Sequence, residues 1–210
     1  MNPSIAYSGG GENWSRSGSR RRLATTGTAV AAFRVLTIPG LRNSGTGHWQ
    51  TIWERAHPEY RRVNQRDWNN PDLADWSAAI LRELRADDRP AILVAHSFGC
   101  LAAVHSAAHA GGRIAAAMLV APANPARFDI AHELSSDVLP FPSVLVASAS
   151  DPWLAFDVAR GLAARWGSNL VNLGNAGHIN AESGHGAWPE GERFLFELQR
   201  LVGTERRATS

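Results

Sequence analysis

Ala91-Ile-Leu-Val-Ala-His-Ser-Phe-Gly-Cys-Leu-Ala-Ala-Val104 is an uncharged, apolar stretch that reaches a serine and then runs on in a small-residue helical pattern. It reads as a buried strand, a sharp turn and a helix, with Ser97 at the turn. Ala95 and Gly99 stand two residues to either side of the serine. Small residues are needed there, because a strained turn brings the end of the strand and the start of the helix past each other at close range. Ala95 replaces the first glycine of G-x-S-x-G and keeps the same steric logic. A serine that merely caps a helix gives a similar local pattern, so partners elsewhere in the chain decide the meaning of this one.

Working outward, strand-like and helix-like segments alternate from residue 32 onward. Strands are expected at 32–39, 60–64, 91–95, 115–122, 143–149 and 169–173, several of them continuous apolar runs suited to a sheet covered on both faces. Helices are expected at 47–57, 72–86, 97–110, 152–166 and 187–202. Within the second, Leu73, Trp76, Ile80 and Leu84 recur at three- to four-residue spacing and form one apolar stripe. Alternation at this spacing implies right-handed crossovers and a mostly parallel sheet of about six strands with helices on both faces. The long connection from Ala123 to Phe141 emerges at the carboxyl edge of such a sheet, where ligands gather. It is long enough for a lip over a pocket and too short for a separate cap domain.

The chain has 210 residues, 44% of them hydrophobic and 19% charged, and contains no lysine. One core of ordinary globular composition is expected. Without lysine there is no Schiff-base chemistry, no Ser-Lys dyad and no P-loop. The pI near 9.3 is misleading, because residues 1–31 hold four arginines against Glu12, while the remainder has 17 arginines against 18 acids. A body so nearly neutral lacks the clustered cations of a nucleic-acid binder. Cys100 is the single cysteine, so no intramolecular disulfide forms, and a small core residue is its expected role. No run approaches the length of a membrane span.

Residues 1–31 are rich in Ser, Gly, Arg and Thr without periodicity and are expected to be a disordered or processed extension. Arg20-Arg21-Arg22, followed by a short threonine-rich apolar segment, has some features of a twin-arginine export signal. A cytoplasmic location is the expectation, with export as the alternative. Residues 32–203 form the expected domain and 204–210 a flexible tail.

A serine hydroxyl becomes nucleophilic when a histidine takes its proton and an acid orients that histidine. Asp151 follows the fifth expected strand and His178 the sixth, in Gly177-His178-Ile179-Asn180. The order Ser97, Asp151, His178 is that of α/β-hydrolases. Asp151 before Pro152 also suits a helix N-cap, and His185 competes with His178 as base. His96 is expected to pack or line a pocket, and His48 to have a surface or core role. The oxyanion would be held by the backbone N–H groups of Phe98 and Leu41, with Gly40 permitting the close turn. Trp49, Trp53, Trp68 and Trp153 are candidate pocket walls beside Gly40.

Pro39-Gly40-Leu41, Gly47-His48-Trp49-Gln50, Trp53-Glu54, Ala95-His96-Ser97-Phe98-Gly99-Cys100, Ser150-Asp151-Pro152, Gly177-His178-Ile179-Asn180 and Trp188-Pro189-Glu190-Gly191 together resemble the small serine hydrolases related to retinoblastoma-binding protein 9 and bacterial YdeN. The resemblance covers about residues 33–203. It implies a compact three-layer α/β-hydrolase fold without a large cap, a triad of Ser97, Asp151 and His178, and hydrolysis of small ester or amide substrates. Retinoblastoma binding is not implied by any stretch here. The expected partner is a small-molecule acyl substrate, with no metal and no organic cofactor. A non-enzymatic binding protein on the same fold, or a perhydrolase or acyltransferase using the same triad, are the alternative functions.

Overall fold

The computed structural model describes residues 33–134 and 137–208. The expectations for residues 1–31, both the extension and the export signal, lie outside these residues. Six strands form one parallel sheet: β1 (Arg34–Ile38), β2 (Arg61–Arg62), β3 (Ala91–His96), β4 (Ile114–Val120), β5 (Ser143–Ala147) and β6 (Asn169–Asn172). Their spatial order is β2-β1-β3-β4-β5-β6. The chain winds outward in one direction from β1 to β2 and in the other from β3 to β6. The reversal lies between β1 and β3, and in open parallel sheets the crevice at such a reversal is where ligands sit.

Five helices cover the sheet: α1 (Trp49–Ala56), α2 (Leu73–Arg85), α3 (Phe98–Ala107), α4 (Phe156–Trp166) and α5 (Pro189–Ala208). Strand alternation sorts the two cores. Ala91, Leu93 and Ala95 of β3 pack with Trp76 and Leu84 of α2, Leu101 of α3 and Trp166 of α4. Ile92 and Val94 face the other way, against Trp49 and Trp53 of α1 and Leu195 and Leu198 of α5. The three-layer α/β-hydrolase architecture expected from the sequence is therefore present. Among the described residues, no helix is long and apolar enough to cross a membrane.

Arg34 shows how the edge of the first core is closed. Its guanidinium donates to the backbone oxygens of Glu83, Leu84, Asp87 and Arg89. Two of these carbonyls belong to the last turn of α2, where helical acceptors lack partners. A charged strand residue thus ties a helix end to β1.

Most boundaries shift by a few residues, β2 shrinking to Arg61–Arg62 and α3 ending at Ala107, and two differences have a bearing on the site or the chain end. α4 begins at Phe156, not at 152: Asp151 Oδ1 accepts the Trp153 N–H at 2.9 Å as an N-cap would, but residues 152–154 bend and do not run on into a helix. An Asp-Pro pair imitates an N-cap followed by proline in the first turn, which is why the pattern misleads. α5 continues to Ala208, so helix extends past residue 203 into the expected flexible tail.

Candidate active site

Ser97 sits between β3 and α3 with φ 55° and ψ −123°. This is a strained conformation for a residue with a Cβ, and close packing around it holds it there. A Cβ on Gly99 would lie 2.4 Å from the Ile38 oxygen and 2.5 Å from that of Pro39, and one on Gly40 would lie 2.7 Å from the Ser97 Cβ. Both glycines let backbone pass where no side chain fits. The Ser97 N–H donates to Val120 O at 3.0 Å, anchoring the turn to β4.

The structure brings Ser97, His178 and Asp151 together at the carboxyl edge of the sheet. His178 Nε2 lies 3.0 Å from Ser97 Oγ, and His178 Nδ1 lies 3.0 and 2.9 Å from the two Asp151 oxygens. Nδ1–H donates to the carboxylate, which leaves the Nε2 lone pair for the serine hydroxyl. The Asp151 side chain is 2% exposed and that of His178 is 10% exposed, so the pair is shielded from water.

The serines of Ala147-Ser148-Ala149-Ser150 explain how loops from two strands hold this registry. Ser148 Oγ donates to Gly174 O and accepts the Ala176 N–H, while Ser150 Oγ accepts the Gly177 N–H at 3.0 Å. The Asp151 loop and the His178 loop are thus stitched together one residue before the histidine. His185 is not part of this arrangement. Its Nδ1 meets Ser183 Oγ at 3.2 Å and its ring stands edge-on to Trp188.

A cavity of about 630 Å³ opens beside Ser97. Gly40 and Leu41 form one wall, and Ala123 and Asn124, with Arg127 and Phe128 of the following 3₁₀ turn Pro125–Phe128, form the lip expected of the long connection. Of the four tryptophans proposed as walls, Trp153 lines the cavity. Trp49 and Trp53 do not: they are fully buried in the second core, and their indole N–H groups donate to Ile179 O and Ala187 O. They support the His178 loop from beneath. Trp68 packs edge-on against Trp76 outside the cavity, and its oxygen accepts the Arg42 N–H at 2.8 Å. Phe98 opens α3, so its N–H belongs to the first turn, whose donors have no partner within the helix.

Several residues acquire roles that their sequence context did not indicate. Arg62 braces the loop after β1. Its Nε and Nη2 bind both Glu54 oxygens, its Nη1 donates to Asn43 Oδ1 and Ser44 O, and Nη2 also donates to Thr51 Oγ1. Arg42 and Asn43 both lie at φ 64°, and this clamp helps hold two consecutive left-handed residues next to Leu41. Histidines 48, 96 and 178 form a row, with successive ring centroids 4.7 and 4.8 Å apart. His96 Nε2–H donates to the His178 backbone oxygen at 3.0 Å. His48 caps α1 by accepting the Gln50 N–H at Nδ1, and it lines the cavity. The one local signal for His48 was its place in the first turn of the first expected helix, which in fact starts one residue after it.

Burial, then the positive charge of Arg62 and that of protonated His178, hold the His48 imidazole down to about 4. His96 is held well below the ordinary histidine range, first by burial and then by its two histidine neighbours. An unfolded chain protonates both below about pH 6.5, whereas the folded chain keeps them neutral. The unfolded state then binds more protons, so stability is complete above about pH 6.5 and is lost as pH falls toward 4. For His48 the total is on the order of 3 kcal/mol. The melting temperature at pH 5 should therefore lie roughly 4–8 °C below its value at pH 7. His48→Asn, which retains a capping acceptor, should flatten part of that fall. Equal melting temperatures at the two pH values would contradict this account of the histidine row.

The serine hydrolase family model matches residues 35–197. This chain belongs to the serine hydrolase family. A YdeN-like hydrolase from Pectobacterium atrosepticum is 44% identical, with 81% of this chain and 92% of that one aligned and a TM-score of 0.78. The Bacillus subtilis ydeN product, 22% identical over 79% of this chain and 98% of its own, has a TM-score of 0.67. Thermogutta terrifontis esterase 2 shares the fold at 15% identity and a TM-score of 0.63, with 84% of this chain and 86% of that one covered. No curated protein is matched by the sequence. The chain is a hydrolase of the α/β class.

Proposed function

We propose that this serine hydrolase cleaves small carboxylic esters or amides by acyl transfer through Ser97. The observation that carries the reading is the continuous line from Ser97 Oγ through the His178 ring to a buried Asp151, set at the wall of an open cavity. His178 Nε2 takes the hydroxyl proton as Oγ bonds to the substrate carbonyl carbon. The resulting oxyanion accepts hydrogen bonds from the N–H groups of Phe98 and Leu41. The carbon–oxygen or carbon–nitrogen bond then breaks, and His178 returns the proton to the leaving alcohol or amine. Water repeats the sequence on the acyl-serine, giving up a proton to His178 and releasing the acid. Asp151 keeps the proton on Nδ1 and offsets the imidazolium charge throughout.

A fluorophosphonate probe tests the reading directly. Full-length protein should gain one covalent label at Ser97 in intact and peptide mass spectra, and labelling should abolish turnover of a short-chain phenyl ester. A protein that binds ligands without catalysis leaves the probe unreacted. Product analysis with peroxide or methanol present separates hydrolysis from perhydrolysis or transfer to an alcohol, since water must win the acyl group for the proposal to stand.

A further inference from the structure

The cavity wall is not electrically neutral. Its formally charged side chains are Arg42, Arg127 and Glu182, a net of one positive charge, and Asp151 lies behind His178 with its side chain 2% exposed. Elsewhere, Arg61, Arg62, Arg66, Arg89, Arg113 and Arg160 each meet a carboxylate. Arg42 and Arg127 meet none among the described residues, as is also true of the exposed Arg55, Arg82, Arg85, Arg165, Arg193 and Arg200, but of these only Arg42 and Arg127 line the cavity. Arg127 instead lies over the Trp153 ring, 5.0 Å from its centroid, and Trp153, which lines the cavity, is 48% exposed. Stacking orders a guanidinium and leaves its in-plane N–H donors available. Arg42 follows the expected oxyanion donor Leu41 directly, with its own backbone N–H bound to Trp68 O.

His48 lies in the same wall, with its Nε2 closed off from solvent. His48 Nδ1 accepts a hydrogen bond, so its proton is on Nε2, and that buried atom has no hydrogen-bond partner in a residue only 7% exposed. Buried donors are rarely left without acceptors. Two arginines without a carboxylate partner, against a single glutamate, make a wall short of negative charge.

We infer that the cavity takes esters carrying a carboxylate remote from the bond to be cut, with Arg42 and Arg127 binding that carboxylate. The inference rests on the ester-hydrolase reading for which bond is broken, while anion recognition itself requires no chemistry. A carboxylate on the acyl half and one on the alcohol half offer the same recognition chemistry, and the test separates them.

Binding is measured by calorimetry on the full-length Ser97→Ala protein, where no turnover intervenes. Monomethyl adipate is compared with dimethyl adipate for the acyl half, and 4-acetoxybenzoate with its methyl ester for the alcohol half. Each pair differs by one charge. In at least one pair the anion should bind about tenfold more tightly than its neutral partner. The preference should shrink as salt rises from about 0.05 to 0.5 M, and it should vanish in a variant that also carries Arg42→Gln and Arg127→Gln. Equal or weaker binding of the anion in both pairs overturns the inference, as does a preference that survives loss of both arginines. Wild-type hydrolysis of the same esters is read separately. Anion preference without any turnover would defeat the ester-hydrolase reading and leave the anion site standing.

Discussion

Replacing Ser97 with alanine should lower ester hydrolysis about a million-fold, into the residual range supplied by binding and oxyanion donors alone. The expected loss lies in turnover, because the hydroxyl removed is the group proposed to form the acyl bond. The fold should survive. The turn is anchored by backbone hydrogen bonds, from Ser97 N–H to Val120 O and from Cys100 N–H to Ser97 O, and alanine retains both. Circular dichroism and a melting curve check the fold, and initial rates with a short-chain phenyl ester check the chemistry. A variant retaining more than about one part in a thousand of wild-type activity would mean that another nucleophile is at work. Cys100, three residues away, is a poor candidate. It is fully buried, its Sγ–H donates to Val120 O, and burial pushes the thiol well above its ordinary range.

His178→Ala should cost as much as the serine substitution, and the double variant should be no slower than either single one, because residues acting as one unit do not contribute additively. The substitution preserves the backbone oxygen that His96 grips, so the loop retains its anchor while losing the ring that links Ser97 to Asp151. His185→Ala supplies the contrast. That ring touches Ser183 and Trp188, and its removal should leave turnover near the wild-type value. If the two histidine variants exchanged phenotypes, the base would be His185 and the loop after β6 would have to rearrange during catalysis. An additive double variant would argue that Ser97 and His178 act in separate steps.

Both predictions concern residues that the sequence already singled out, and the reason is topological. In a parallel sheet each strand delivers its following loop to the same edge, so a serine, an acid and a histidine after three different strands are gathered there without knowledge of any contact. The strained turn at Ser97 was legible for a related reason. Ala95 and Gly99 are small because backbone passes within van der Waals distance, a local requirement written in local residue types.

The tertiary structure decided what depends on distant partners. Apolar periodicity says that Trp49 and Trp53 are buried but not against what. Their indole N–H groups find acceptors some 130 residues away, at Ile179 and Ala187, and that pairing makes them supports for the His178 loop, not walls of the cavity. Arg62 reads as an edge-strand charge until its guanidinium is seen bound to Glu54, Asn43, Ser44 and Thr51 at once. The histidines are the sharpest case. His48 and His96 lie 48 residues apart in sequence, and only the packing of α1 against β3 sets their rings in a row with His178. Composition and spacing determined the sheet, the elbow and the candidate triad. Which groups brace that triad, and which charges face the substrate, followed from desolvation and long-range hydrogen bonding, whose partners no local pattern specifies.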